Sequence, residues 1–172
     1  MIVRRQLPER LSVEVVEHRP VALLALGELY LVNEVAEPFK RVKATDTMDL
    51  PLVTGIDRDD FVGHREAALA RLQRAVEVTD AYAASADAKA APLSEVHVTA
   101  DGVSVITTSG QEIRFADGEL VQSLERLQRI RAELKSRSLS AEVIRLDNRA
   151  RPNWVSVQLS SATSEKIEQS RK

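Results

Sequence analysis

VALLALGELYLVNEVAEPF at residues 21–39, followed after a polar spacer by DLPLVTG at residues 49–55, decides how this chain is read. Two short apolar runs, residues 21–26 and 29–32, flank Gly27, and residues 33–38 carry turn formers before Phe39. Runs of this length bounded by glycine, asparagine and proline predict strands rather than helices. The stretch holds no nucleophile, metal-ligand cluster or glycine-rich phosphate loop. It predicts architecture, not catalysis.

Upstream, Leu11, Val13 and Val15 alternate with Ser12 and Glu14, the period of a half-buried strand, and Pro20 is expected to stop it. Downstream the period changes. From Asp57, the positions Phe61, Ala68, Leu72, Ala75 and Val76 keep the spacing of one helix face. Asp57, Asp59 and Asp60 stand where carboxylates meet the free amides and positive dipole end of a helix, so they read as capping residues. A calcium loop is not read there, because no central glycine and no following glutamate complete one.

Residues 81–91 are alanine-rich and read as a frayed helix end or a linker. A meander follows: Val96 and Val98 lead to the turn Asp101-Gly102, Val103 and Val105 to Ser109-Gly110, and Ile113 and Phe115 form a third strand. After Asp117-Gly118, the residues Leu120, Leu124, Leu127, Ile130 or Arg131, and Leu134 predict an amphipathic helix packed on a sheet face. Its other face carries Arg126, Arg129, Glu133 and Lys135, with Glu119 and Glu125 interleaved, the pattern of a solvated surface. Residues 143–146 and 154–159 predict two last strands around a polar turn containing Pro152, and residues 160–172 a polar, disordered tail. The fold class is therefore α+β: a mostly antiparallel sheet with two main amphipathic helices.

The chain has 172 residues, 44% hydrophobic and 29% charged, enough to bury about 70% of its unfolded surface without staples. Aromatics make up only 3%, and 24 basic residues face 26 acidic ones, so neither base stacking nor a positive field supports nucleic-acid binding. The absence of cysteine removes thiol catalysis and thiolate zinc sites. No apolar run approaches the ~20 residues of a membrane-spanning helix, and the start of the chain lacks a signal-peptide core.

Tests for chemistry point the same way. His18, His64 and His97 are scattered without partners at metal-ligand spacing. His97, alternating with Val96 and Val98, is expected on the more exposed sheet face. No GxSxG elbow or SxxK pair is present, and Gly102, Gly110 and Gly118 are spaced as turn glycines rather than as a cofactor fingerprint. No catalytic, cofactor-binding or metal-binding residue and no small-molecule substrate are expected.

The ordered pieces VEVVEHRPVALLAL, YLVNEVAEPF, DLPLVTG, LSEVHVTADGVSVITTSGQEIRF, LVQSLERLQRIRAEL and AEVIRLDNRARPNWVSVQL resemble a bacterial cell-division family, FtsQ, called DivIB in some lineages. The resemblance covers roughly residues 11–159. It implies a single-pass protein of the inner (cytoplasmic) membrane, whose POTRA domain and β-domain lie on the periplasmic side. On that reading residues 1–22 are a POTRA remnant, 23–159 the β-domain and 160–172 the tail, with the membrane helix absent from this chain. The resemblance further implies a non-enzymatic scaffold that recruits FtsB- and FtsL-type partners during septum formation.

The implied contact positions are Asn148, Arg149, Ala150 and Arg151, then Trp154, Val155, Ser156 and Val157. Trp154 reads either as a core aromatic beginning the last strand or as an interface anchor. Many members carry LVD, two residues and glycine where this chain has Asn33 and Ala36, which leaves the turn type open. A family arginine near the start of the meander has no counterpart in Thr99, Ala100 and Asp101, and its role is not carried over. The alternative function is a POTRA-type chaperoning module of a secretion or outer-membrane transport system.

Overall fold

The computed structural model describes residues 2–6, 10–14, 17–118, 120–148, 150–151 and 154–161. Strands β1 (Ile2–Gln6) and β2 (Arg10–Glu14) pair antiparallel as a separate hairpin. The next strands are β3 (Pro20–Ala25), β4 (Leu29–Asn33), β5 (Pro38–Arg41) and β6 (Leu52–Thr54). Helices α1 (Arg58–Gly63) and α2 (Arg65–Ala83) lead to the meander β7 (Leu93–Thr99), β8 (Gly102–Thr107) and β9 (Glu112–Ala116). Helix α3 (Leu120–Ser136), β10 (Ala141–Leu146) and β11 (Ser156–Leu159) complete the described elements.

Strands β3 to β11 form one nine-stranded sheet in the order β11-β10-β9-β8-β7-β6-β3-β4-β5. Neighbours joined by short turns pair antiparallel, whereas β3–β6, β6–β7 and β9–β10 pair parallel. A parallel pair needs a crossover, and the helical stretches α1–α2 and α3 supply two of them. The result is α+β, mostly antiparallel, as the periodicities require.

Period-two alternation builds the core directly. Leu24, Val53, Val96, Val105, Ile113 and Ile144 lie side by side across six strands, and all are fully buried. Onto this face pack Ala68, Leu72, Ala75, Val76 and Tyr82 of α2 and Leu124 and Leu127 of α3. The small Ala68 and Ala75 let α2 approach the strands closely. On the other face, Thr54 Oγ1 donates to Glu95 Oε1 at 2.6 Å and lies 2.8 Å from His97 Nδ1. His97 is thus half-buried on the face away from Val96 and Val98, as expected.

The segment DLPLVTG turns out to hold a strand, β6, clamped between β3 and β7. Its closing Gly55 has φ +84, and a Cβ there would stand 2.1 Å from the Val98 carbonyl oxygen. Only glycine permits both the left-handed backbone and the close approach. Pro20 opens β3 rather than ending a strand, consistent with its missing donor at a first strand position. Residue 22, the expected end of the POTRA remnant, lies inside β3.

The predicted first helix is two helices, because His64 at φ −135, ψ 50 leaves the helical region. Asp57 holds the N-cap position of α1 without a side-chain capping bond. Asp60 instead accepts from Arg71 Nη2 at 2.6 Å, and Arg71 Nη1 reaches the Gly55 carbonyl at 3.3 Å. The Asp60–Arg71 pair pins α1 to α2, and Arg71 in turn ties α2 to the end of β6; the Arg71 hydrogen bond holds the Asp60 carboxyl below its ordinary value. The alanine-rich stretch is helical through Ala83 and then runs in hydrogen-bonded turns.

Helix α3 ends with Ser138 at φ 55. The Leu139 N–H donates to Leu134 and that of Ser138 to Lys135, the paired bonds of a Schellman stop. Arg129 of α3 and Arg137 just beyond its end pair with Glu125 and Glu133 on the surface. Arg131 turns inward, donating to Tyr82 Oη at 3.0 Å and Gln111 Oε1 at 2.6 Å and facing Asp87 at 3.1 Å. It ties α3 to α2, the start of β9 and the α2–β7 connection.

Candidate functional site

The predicted contact residues that the structure describes gather at one end of the sheet, in the β10–β11 hairpin. Asn148 Oδ1 accepts the Arg151 N–H at 3.0 Å, closing the turn, and the Trp154 N–H donates to the Arg151 carbonyl at 2.8 Å. The Arg151 guanidinium lies over the Trp154 ring, 4.5 Å from its centroid, a cation–π contact. Trp154 is 61% exposed, which excludes a core aromatic. It also does not begin the last strand: its amide is committed to the turn, and β11 starts at Ser156. Ala150 is exposed, and Arg149 lies outside the described residues.

Val155 packs half-buried against the core. Ser156 then pairs with Arg145 and Val157 with Ile144, so Val157 extends the buried apolar row by one strand while Ser156 lies exposed on the other face. The Ser160 N–H donates to the Ser140 carbonyl at 2.9 Å, on the β10 side. Counting back by two, the amides of Gln158 and Ser156 point toward β10. Those of Val157 and Leu159 point to the outer side, where no described strand pairs with them. Gln158 and Leu159 belong to this edge as much as Ser156 and Val157 do. The alternation of the sequence marks their side chains, but only the pairing shows which amides are left over.

The two sheet edges differ in chemistry. At the far edge β5 reads Pro-Phe-Lys-Arg, and a register irregularity marks its pairing with β4. Proline, charge and irregularity are the devices that blunt an edge. β11 reads Ser-Val-Gln-Leu, with neither proline nor charge, and the register irregularity in its own pairing falls on the inner strand, between Ala141 and Val143 of β10.

Beside the end of β11, a groove of about 920 Å³ opens between α3, the α2–β7 connection and the start of β10. Asp87, Arg131, Leu134, Leu139, Glu142 and Ser160 are among its lining residues. Among the described residues no group of three His, Cys, Asp or Glu side chains is placed to hold a metal. His18 is occupied by Asn33 Nδ2 at 2.8 Å and by a stacked Phe39 ring. No described helix is long and apolar enough to cross a membrane.

Comparison with known proteins agrees with this architecture. The model of the C-terminal part of cell division protein FtsQ/DivIB matches residues 22–149. Relatives named cell division protein FtsQ include one from Myxococcus fulvus, 51% identical over 164 residues, covering 95% of this chain and 58% of the relative. One from Anaeromyxobacter is 38% identical over 164 residues, covering 95% and 56%. Another, from Geotalea daltonii, is 32% identical over 147 residues, covering 84% and 54%. The chain thus spans somewhat more than half the length of these relatives. With a family match across most of its length and relatives covering nearly all of it, the chain belongs to the FtsQ/DivIB family of cell division proteins.

Proposed function

We propose that this chain is a non-enzymatic docking domain of the division machinery, in which the outer side of β11 accepts an extended segment of an FtsB- or FtsL-type partner. The observation that carries the reading is the contrast between a blunted β5 and a β11 free of proline and charge, whose two outward amides have no partner strand among the described residues. A strand added there gains main-chain hydrogen bonds, and alternate side-chain positions set specificity. Trp154 and Arg151, stacked and exposed beside the strand, offer the aromatic and guanidinium chemistry that anchors interfaces. In the whole protein, β1–β2 would close a POTRA domain that follows a single inner-membrane helix, with the sheet on the periplasmic side. The family match favours this reading over a secretion-type chaperoning module.

The test is a pair of prolines. Val157→Pro removes an outward donor and leaves the β10 ladder intact, whereas Ser156→Pro removes an inward one. A Val157→Pro variant with native circular dichroism is expected to lose binding to an FtsB-type partner. Unchanged affinity in that folded variant overturns the reading. Trp154→Ala is expected to weaken binding by about 2 kcal/mol, roughly thirtyfold.

A further inference from the structure

We propose that β11 also pairs with β11 of a second copy of this chain, antiparallel about a two-fold axis at Gln158, so that self-pairing and partner docking exclude one another. The proposal goes beyond the docking reading but rests on the same open edge.

The geometry of the edge is self-complementary. Outward amides occur in β11 at Val157 and Leu159, one residue either side of Gln158. A two-fold axis at Gln158 sets Val157 of one copy opposite Leu159 of the other, and the reverse. Each of these two pairs then exchanges both of its N–H···O bonds. An axis at Val157 would satisfy only that residue within the strand, because the partner position for Leu159 becomes Val155, which lies before β11. The axis at Gln158 therefore uses every outward amide that β11 has.

Side chains and charge agree with that register. Val157 lies on the helix-bearing face, in line with Ile144, and Leu159 shares that face, opposite Ala141. Placing Val157 of one copy beside Leu159 of the other continues the apolar row across the axis, the kind of cross-strand pair that stabilises sheets. Gln158 meets its own copy on the opposite face, where two neutral amides can donate and accept to one another. No like charges oppose each other, since β11 carries none. The same operation at β5 would bring Lys40 and Arg41 near their own copies. Four residues a side make a small contact, so the pair is weak and forms where the protein is concentrated. A strand from another protein that gains additional side-chain contacts displaces it.

Because the chain contains no cysteine, single substitutions report the register without background. In the proposed pair, residue 158 faces itself as a non-hydrogen-bonded pair with Cα atoms about 4.5 Å apart, within disulfide range. Residue 156 lies about 13 Å from its copy, beyond that range. On mild oxidation at high protein concentration, Gln158→Cys is expected to give a disulfide-linked dimer and Ser156→Cys to stay monomeric. Adding Val157→Pro to Gln158→Cys is expected to abolish the dimer. Equal cross-linking of the two cysteine variants, or none by Gln158→Cys, overturns the proposal. Failure of Gln158→Cys to cross-link, with Val157→Pro still blocking partner binding, removes self-pairing and leaves the docking reading standing. Cross-linking by Gln158→Cys with partner affinity unaffected by Val157→Pro does the reverse.

Discussion

Asn33 brackets Ala36: its Oδ1 accepts the Val35 N–H at 3.1 Å and the Glu37 N–H at 2.8 Å, on either side of a residue held at φ 59. The left-handed region costs a residue with a Cβ roughly 1–2 kcal/mol. Asn33 is nearly fully buried, so its amide holds both donors from the inner side of the turn. Asn33→Ala is expected to destabilise the fold by about 1–3 kcal/mol in urea titration, by orphaning two turn amides and releasing His18. Asn33→Asp keeps an acceptor for both amides and is expected to cost less. A loss no larger for alanine than for aspartate would contradict this account of the turn.

Gly55 is the most constrained position in the stretch that first suggested the fold. A Cβ there meets main chain, the Val98 carbonyl, and the φ of +84 adds backbone strain. Left-handed strain and overpacking together cost on the order of 3 kcal/mol. Gly55→Ala is therefore expected to lower the melting temperature sharply, while Gly63→Ala, where a Cβ meets nothing within 4 Å, is expected to be close to neutral. Comparable melts for the two variants would refute the argument.

Acid should loosen the connection between α1 and α2. The Arg71 hydrogen bond holds Asp60 below its ordinary 3.8, and the Lys40 hydrogen bond does the same for Asp46. A depressed carboxylate contributes stability that is present above the unfolded value and is lost as pH falls through the folded one. Asp80, raised by burial, works in the opposite sense. Stability is expected to decline below about pH 4, and Asp60→Asn is expected to be less stable at pH 7 with a shallower acid decline. A variant whose profile runs parallel to the parent's would show that the pair is not coupled to unfolding.

What could be read before any coordinates follows physical lines. The meander and α3 were legible because period-two alternation, turn glycines and period-3.6 leucines are local signals. Strand β6 was not, since Leu52, Val53 and Thr54 are too few to show alternation and gain their place only by pairing with β3 and β7. The break at His64 is a single backbone conformation inside an otherwise helical pattern. Asp60 reads as a capping residue until Arg71, eleven positions on, is seen to claim it. At the candidate edge, Trp154 looked like the start of a strand because nothing local shows that its amide serves the turn. The expected contact residues that the structure describes lie together because they are close in the chain; which of their amides face outward is long-range information.

The unequal edges also limit what the sheet can build. A sheet with two adhesive edges can polymerise head to tail, because each added copy offers a fresh end of the same kind. Here Pro38, Lys40 and Arg41 occupy the end that such growth would need. On the proposed docking at β11 the domain has a valence of one: a single added strand, from either source, satisfies it, and growth stops at a closed complex instead of a filament.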